Sequence, residues 1–375
     1  MNIQDPLQLL GGISPATFMQ RYWQKKPLVI RQAIPGFQAL LDRGELLDLA
    51  AQEEVESRLV VQDTKAGSWG MRHGPFVRRQ LPPFKQAAWT LLVQGVDLHD
   101  ERMHALLQQF SFVPSARLDD LMISYATDGG GVGPHFDSYD VFLLQAHGRR
   151  RWRIGRQKDL SLQPDVPLKV LAHFEPEQEF VLEPGDMLYL PPKYAHDGVA
   201  QGECMTYSIG FRAPDRAELA REVLQRLAED VYDTMDTGLY QDRQQTAVAQ
   251  TGAIPEPMFT FAQQALQAAL KDPHAVARAV GEYLSEPKAN VWFDGGDDEL
   301  PEGGVRLDRK TRMLYDEKHV FINGEGFLAA GRDARLMRQL ADNRHLSAKE
   351  VASLGAQARA LLDDWCAVGW VLPDA

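Results

Sequence analysis

Residues 129–145 read GGGVGPHFDSYDVFLLQ, a glycine run followed by His-x-Asp and an apolar segment. The glycines lead into β-branched and aromatic residues, which predict a strand rather than the helix that a phosphate-binding loop requires. His135 and Asp137 are two residues apart, so on an extended chain both side chains point to one face. An imidazole and a carboxylate that converge there suit a divalent metal such as Fe(II), Mn(II) or Zn(II). An isolated His-x-Asp pair is more often a surface feature, so a metal site requires a third ligand.

The third ligand is predicted in the segment Glu183–His196, EPGDMLYLPPKYAH. Its first four residues predict a turn, because proline presets one backbone angle and glycine accepts positive φ. Met187–Leu190 then reads as a short apolar strand, and His196 begins the next extended segment. An antiparallel barrel brings such strand ends together, which would add His196 to His135 and Asp137. Two histidines and one carboxylate leave coordination positions open, as in non-haem Fe(II) oxygenases.

A second feature is the arginine-rich segment Gly148–Ile154, GRRRWRI. On a strand Arg150, Trp152 and Ile154 share one face, and this mostly apolar face is predicted to point inward. Arg150 would then be a buried cation, which needs a partner to offset its desolvation. A ligand carboxylate is a natural partner, because guanidinium binds carboxylates in a bidentate manner. A structural ion pair with an acidic residue of the chain is the alternative.

Taken together, these motifs resemble those of the JmjC-type cupin oxygenases, and more narrowly those of the bacterial ribosomal oxygenases. The resemblance is close over about the first 215 residues and loose beyond them. Each motif alone is unspecific, whereas the set is specific. Further segments that carry the resemblance are Phe18–Ile30, Glu56–Leu59, His73–Phe76, Asp119–Ser124 and Tyr207–Pro214.

The resemblance implies a dioxygenase that uses Fe(II), 2-oxoglutarate and O₂ to hydroxylate an arginine of a large-subunit ribosomal protein (number sixteen). It also implies which residues of this chain act in catalysis. The matched positions are His135, Asp137 and His196 as iron ligands, Arg150 at the distal carboxylate of 2-oxoglutarate, and Ser124 near that co-substrate. Where relatives can carry a second hydroxyl two residues after the serine, this chain has Ala126.

Composition excludes several classes of protein. The 375 residues are 44% hydrophobic, which is enough for large cores in two or three domains. The two cysteines, Cys204 and Cys366, cannot build a disulfide framework. We see no signal peptide, and no apolar stretch approaches the roughly 20 residues of a membrane span. We therefore expect a cytoplasmic protein without a membrane partner.

The formal net charge of −12 bears on the partners of the chain. It argues against direct, non-specific binding to nucleic acid, whose phosphates would be repelled. It suits a basic protein partner such as a ribosomal protein substrate, which the field of the chain would attract. Ordinary solubility is an equally simple explanation of the same charge.

The expected fold is α+β with three domains. Dense short strands with Gly/Pro turns predict a JmjC-type double-stranded β-helix, a cupin-like jelly roll, over residues 1–214. Residues 215–289 predict helices with apolar stripes, which are expected to form a homodimer interface or to pack on the barrel. Residues 290–375 predict a winged-helix-like domain, for which a protein-contact role is preferred because a concentrated basic face is absent, apart from Arg306, Arg309, Lys310 and Arg312.

Several local elements follow from the same patterns. Paired strands are predicted at Arg58–Gln62 and Trp69–Arg72, with a turn at residues 65–68 between them. Helices are predicted at Ala87–Val96 and from Ser347 to Leu362. Tyr139–Asp140, just past the metal pair, either lines the mouth and meets a substrate guanidinium or packs inside the barrel.

Three other functions remain open at the level of sequence. One is a related oxygenase that hydroxylates histidine or asparagine, or demethylates lysine. Another is a non-catalytic cupin that binds a ribosomal or regulatory protein, although all three metal-ligand positions are occupied here by suitable residues. The last is a metal-dependent enzyme that acts on a small molecule, but such cupins are usually shorter.

Overall fold

The computed structural model describes residues 2–63, 68–231, 238–296, 303–329 and 331–374. The chain divides into two compact units, Met1–Ala213 and Pro214–Ala375. None of the helices in the described ranges is long and apolar enough to cross a lipid bilayer. The further division at residues 289 and 290 stays a prediction.

The first unit is mainly an antiparallel sheet with short helices on one side. Its helices are α1 (Pro15–Arg21), α2 (Arg43–Ala50) and α3 (Glu101–Gln108). Its strands are β1 (Leu28–Ile30), β2 (Ser57–Asp63), β3 (Ser68–His73), β4 (Trp89–Val93), β5 (Leu118–Ala126), β6 (Val141–Gly155), β7 (Gln178–Leu182), β8 (Met187–Leu190) and β9 (Ala195–Phe211).

These strands form one nine-stranded sheet in the order β1-β8-β6-β9-β5-β4-β2-β3, with β7 paired to β6. The long strands β6 and β9 curl the sheet into a barrel, because their two halves serve different sets of neighbours. Residues 205–211 of β9 pair with β5 and with the first part of β6, whereas residues 195–201 pair with the second part of β6. The register shifts between Gln145 and Arg149, and this bulge is where β6 bends. The jelly roll expected for this region is confirmed.

The two faces of the sheet have different neighbours. One face packs on the helices, where Phe18 of α1 lies 5.3 Å from Phe142 and 4.9 Å from Tyr189 between ring centroids. Each such aromatic pair contributes about 0.5–1.5 kcal/mol beyond area burial. The opposite face lines the barrel and carries buried polar side chains, which need partners when they leave water. These inner polar residues are Asp120, Ser124, Gln145, Arg150, Thr206 and Ser208.

The second unit combines helices with two small sheets. Its helices are α4 (Arg216–Glu229), α5 (Glu256–Ala269), α6 (Ala275–Ser285), α7 (Gly331–Asn343), α8 (Ala348–Ala352) and α9 (Ala356–Ala367). Its strands are β10 (Val305–Leu307), β11 (Met313–Tyr315), β12 (His319–Ile322), β13 (Glu325–Leu328), β14 (His345–Leu346) and β15 (Val371–Pro373). One sheet has the order β14-β10-β15 and the other β11-β12-β13.

Helix α6 connects the parts of this unit. It packs on β12 where Gly281 lies directly against the Phe321 ring, leaving no room for a β-carbon. It also holds α4, because the Tyr283 hydroxyl donates to Glu218 over 2.7 Å and Arg226 lies over the Tyr283 ring. Helix α6 is therefore shared between the helical segment and the wing sheet.

Most of the strands and helices predicted from the sequence patterns are present, and two predictions need correction. The predicted strand pair is confirmed as β2 and β3, whereas the turn at residues 65–67 lies outside the described residues. The helix predicted at Ala87–Val96 is wrong, because residues 89–93 form the fully buried strand β4 between β2 and β5. The helix predicted from Ser347 to Leu362 is broken at residues 353–355 into α8 and α9.

Candidate metal centre and co-substrate pocket

Three side chains that can bind a metal converge inside the barrel. The ligand atoms of His135, Asp137 and His196 all lie within 4.8 Å of one another. The two imidazole centroids are 4.2 Å apart, and Nε2 of His196 lies 3.6 Å from Oδ2 of Asp137. No other group of three such residues occurs in the described parts of the chain. The structure therefore brings together all three residues that the two sequence motifs predicted separately.

Backbone pairing accounts for this convergence. His135 and His196 form an antiparallel bridge, in which the His135 N–H donates to the His196 carbonyl over 2.9 Å and the reverse bond spans 2.8 Å. The Lys193 N–H also donates to the carbonyl of Asp137 over 2.7 Å. The chain before β6 thus runs alongside the start of β9, and the two motifs meet at their metal-binding ends.

Hydrogen bonds orient both imidazoles toward the same point. Nδ1 of His135 lies 2.9 Å from the carbonyl oxygen of Gly133, and Nδ1 of His196 lies 3.0 Å from that of Tyr194. A carbonyl can only accept, so each Nδ1 carries the proton and each Nε2 keeps a free lone pair. Such bonds fix the tautomer and ring orientation of metal-binding histidines.

The environment keeps His196 neutral. Burial, followed by the neighbouring His135, lowers the pKa of His196 to about 4, against the opposing effect of Asp137. Only a neutral imidazole can donate its lone pair to a metal. His196 is therefore in its ligand form throughout the physiological pH range.

Arg150 is a buried cation on the inner face of the barrel, with 5% of its surface exposed. Its Nη1 donates to Oγ of Ser124 over 3.0 Å. Its Nε and Nη2 have no hydrogen-bond partner, and no acidic side chain in the described residues pairs with it. The guanidinium lies over Trp152 at 5.8 Å, and Trp152 in turn lies 5.9 Å from His196. Arg150 therefore presents free donors on the inner face, with Trp152 between it and His196.

A row of buried polar side chains extends from Ser124 across three strands. Ser124, Thr206 and Gln145 stand opposite one another on β5, β9 and β6. The Thr206 hydroxyl donates to Gln145 over 3.0 Å, and the Gln145 amide donates to the carbonyl of His147 over 2.8 Å. Sequence reasoning missed Thr206 and Gln145, although each is a polar residue on the inward side of an alternating strand.

The two residues predicted near the mouth have different roles. Asp140 is fully buried and accepts hydrogen bonds from Tyr189 over 2.6 Å and from Gln24 over 3.0 Å, with Arg117 at 3.4 Å. It is buried between the sheet and the segment that follows α1, on the helix side of the sheet, and is therefore closed to a substrate. Tyr139 remains 40% exposed at the end of the loop that carries His135 and Asp137.

Negative charge surrounds the Tyr139 hydroxyl. Desolvation first, and then the charges of Asp137, Asp120 and Asp119, raise the pKa of Tyr139, while Arg58 opposes them. These carboxylates are close enough to act on the hydroxyl through space. The Tyr139 hydroxyl therefore keeps its proton.

The donor set fits a metal with a bound 2-oxo acid. Two imidazole nitrogens and one carboxylate suit a borderline, redox-active metal better than a closed structural zinc site. The two free nitrogens of Arg150 can receive the far carboxylate of a dicarboxylate. The pocket therefore has complementary groups for both ends of 2-oxoglutarate.

Comparison with protein families gives two matches along the chain. Residues 105–219 match the JmjC domain, and residues 267–371 match the ROXA-like winged helix. The first match contains all three candidate metal ligands together with Arg150 and Ser124. The second match begins in α5 and includes α6 as well as the small sheets.

Curated relatives extend the likeness over most of the chain. It is 36% identical over 351 residues to the ribosomal protein uL16 3-hydroxylase of Escherichia coli (strain K12), covering 88% of this chain and 90% of that protein. It is 37% identical over 210 residues to a probable ribosomal oxygenase of Haemophilus influenzae, covering 55% of this chain and 52% of that protein.

Solved structures agree with these sequence matches. The crystal structure of E. coli YcfD matches with a TM-score of 0.82 and 30% identity, over 96% of this chain and 98% of that one. A structure of the ribosomal oxygenase YcfD in complex with cobalt and 2-oxoglutarate matches with a TM-score of 0.78 and 29% identity over the same shares. The chain, with its jelly roll and winged helix, therefore belongs to the JmjC-type ribosomal oxygenase family.

Proposed function

We propose that this protein is an Fe(II)- and 2-oxoglutarate-dependent hydroxylase that acts on an arginine side chain of ribosomal protein uL16. The observation that carries the proposal is the pair of unpartnered Arg150 nitrogens beside the His135, Asp137 and His196 cluster. The pocket thus offers a metal site together with a carboxylate receptor. That combination suits 2-oxoglutarate better than a monocarboxylate or a neutral small molecule.

Each pocket residue has a distinct part in the proposed reaction. His135, Asp137 and His196 would hold Fe(II), while Arg150 and Ser124 would hold the distal carboxylate of 2-oxoglutarate. When bound, iron with 2-oxoglutarate and O₂ supplies the oxidation that puts one oxygen atom into a substrate C–H bond, with succinate and CO₂ as the other products. The buried inner face excludes water and fixes the orientation of the reactants.

The mouth supports a cationic substrate. The carboxylates of Asp119 and Asp120 act on the region around Tyr139, whereas the charge of Asp137 would be neutralised by the bound metal. A guanidinium entering there gains from those charges, and its planar face can stack on the exposed Tyr139 ring. The net charge of −12 acts in the same direction on a basic ribosomal protein. We propose that the enzyme recognises the protein rather than RNA, and that it works in the cytoplasm where ribosomal proteins are made.

We further propose that the protein is a homodimer formed through α5. None of the α5 side chains is buried in the chain. Large apolar side chains of this helix remain exposed at Met258 (43%), Phe259 (48%) and Leu266 (66%). A contiguous apolar face of this kind on a soluble chain marks an interaction surface, and a second copy with the same face can cover it.

The test of the activity is oxygen transfer to a ribosomal protein. The protein is purified without oxygen, loaded with Fe(II), and incubated with 2-oxoglutarate, air and purified uL16. We expect uL16 to gain the mass of one oxygen atom, at an arginine located by tandem mass spectrometry, only when iron and 2-oxoglutarate are both present. Asp137→Ala serves as the inactive control.

Other outcomes separate the alternatives. Oxygen on a histidine or asparagine of any ribosomal protein would keep the hydroxylase and overturn the arginine assignment. If 2-oxoglutarate binds but no ribosomal protein gains oxygen, the substrate assignment is wrong. If neither metal nor 2-oxoglutarate binds, a non-catalytic cupin is the better account.

A further inference from the structure

Strand β3 has a free edge that the proposed function leaves unexplained. It pairs with β2, and within the described residues no other strand lies on its outer side. The free edge extends over Ser68–His73. A free edge of this length exposes a row of backbone donors and acceptors that can pair with another extended chain.

The ladder shows which residues of β3 point outward. Next to β3, the Gly74 N–H donates to the carbonyl of Ser57, and on the opposite side of β2 the Gln62 N–H donates to the carbonyl of Ala88. Odd-numbered residues of β2 therefore bond toward β3, because bonding direction alternates along an antiparallel strand. In this register each odd-numbered residue of β2 stands opposite an even-numbered residue of β3, as Leu59 stands opposite Arg72. The even-numbered residues of β3 are therefore the ones that bond to β2.

The outward residues of β3 are consequently Trp69, Met71 and His73. Their backbone N–H and C=O groups have no backbone partner in the described chain. Their side chains share one face of the strand, with Trp69 and Met71 partly buried. Three successive donor–acceptor positions are thus available to an added strand.

The same face leads to the metal centre. The Trp69 ring packs closely on Gly133, where a β-carbon would lie 3.0 Å from the ring. The Gly133 carbonyl accepts the bond that orients His135. Side chains of an added strand would stand about 5 Å from those of β3 on this face. Alternate side chains of that strand would therefore point toward the loop that carries His135 and Asp137.

Other edges of the barrel sheet are less suitable. The β7 edge is occupied in part, because Arg31 donates to the carbonyl of Val181 over 2.7 Å. Strand β1 is only three residues long.

We propose that the free edge of β3 binds an extended segment of the protein substrate as an additional strand. This inference rests on the proposed function and specifies how its substrate is held. Backbone bonds to Trp69, Met71 and His73 supply affinity, as in other cases of strand addition. The segment presents a cationic side chain, from the face it shares with Trp69, toward the loop that carries His135 and Asp137.

The test compares Met71→Pro with Met71→Val. Proline removes an outward N–H but no ladder bond to β2, and edge strands tolerate proline at such positions; valine keeps the N–H. The probe is a set of overlapping fluorescent uL16 peptides, whose binding to the Co(II)- and 2-oxoglutarate-loaded protein is followed by anisotropy. We expect roughly tenfold weaker binding to Met71→Pro and binding to Met71→Val within about twofold of wild type.

A second measurement keeps the protein unchanged. Peptides methylated at successive backbone nitrogens are bound to the wild-type protein, and we expect losses at every second residue. The strand addition would be overturned if both Met71 variants bound the peptides equally well. It would also be overturned if methylation weakened binding without alternation along the peptide, or if the wild-type protein bound no peptide. Weaker Co(II) or 2-oxoglutarate binding by Met71→Pro would also overturn it, since the strand would then support the pocket. Alternating losses on a peptide that gains no oxygen would support the docking and refute the proposed reaction.

Discussion

At the scale of single residues, Arg150 decides what the pocket can bind. A buried guanidinium that keeps only one hydrogen bond, to Ser124, bears a desolvation cost that its contact with the Trp152 ring offsets only in part. A carboxylate that enters the pocket completes the missing bonds. The unfilled hydrogen bonds of Arg150 therefore favour binding of a carboxylate.

The corresponding prediction concerns co-substrate affinity. Arg150→Ala should weaken 2-oxoglutarate binding roughly ten- to a hundredfold, because a charge-assisted bidentate contact is lost. Calorimetric titration of the Co(II)-loaded protein measures this directly. Arg149→Ala is the matched control, since that neighbouring arginine is exposed on the outer face. Unchanged affinity in Arg150→Ala would assign the arginine a structural role only.

The prediction for Asp140 concerns the stability of the fold and not the binding of a ligand. Its carboxylate is fully buried and holds together Tyr189, Gln24 and Arg117. Asp140→Ala should lower the free energy of unfolding by about 3–5 kcal/mol, because the Tyr189 hydroxyl and the Gln24 amide lose a charged acceptor and the partly exposed Arg117 loses its carboxylate. Urea denaturation measures the change, with the exposed Asp48→Asn as a control expected to have little effect. A loss as small as that of the control would mean that the buried network is dispensable.

At the scale of secondary structure, alternation and turn chemistry predicted most of the barrel. Strand β8 has the predicted bounds Met187–Leu190, and β9 begins one residue before His196, as the Glu-Pro-Gly-Asp turn and Pro191–Pro192 indicate. The three ligands came together because each motif lies at a strand end. Thr206 and Gln145 were missed, since a polar residue inside a strand gives no sign of its neighbour across the sheet.

The error at β4 has a clear physical origin. Residues 89–93, Trp-Thr-Leu-Leu-Val, are all buried, so neither a helical nor an alternating pattern appears. A short apolar run of this kind cannot be assigned by periodicity alone. Its partners β2 and β5 decide the outcome, and they are distant in sequence. The break between α8 and α9 is similar, because the capping box at Ser347 predicts where a helix begins but not where it ends.

The bulge in β6 gives a prediction at this scale. Gly148 has φ +62°, and a β-carbon there would lie 2.1 Å from the carbonyl oxygen of Glu203. Gly148→Ala should lower the free energy of unfolding by about 2–4 kcal/mol through backbone strain and overpacking. Gly202→Ala is the matched control, since Gly202 has φ +76° with nothing within 4 Å, and should lose only about 1 kcal/mol. Equal losses in urea denaturation would show that the close approach at the bulge relaxes freely.

At the scale of the whole molecule, the candidate site belongs to one of the two units. The first unit contains every residue assigned to metal, co-substrate and substrate. The second unit has its own core of helices and small sheets, yet exposes the apolar face of α5. An apolar face of this kind is costly in water unless a partner covers it. Family membership alone does not identify the partner, so the assembly has to be tested on this face.

The α5 prediction uses charge to separate two copies. Leu266→Lys together with Phe259→Lys should convert a dimer into a monomer, because two lysines from each copy would be buried against each other. Gln267→Lys is the matched control, as at 100° per residue it lies about a quarter turn or more from both. Sedimentation velocity across a range of concentrations measures the change. A wild-type protein that stays monomeric at every concentration would refute the interface, whereas a double variant that remains dimeric would move the interface to another surface of the chain.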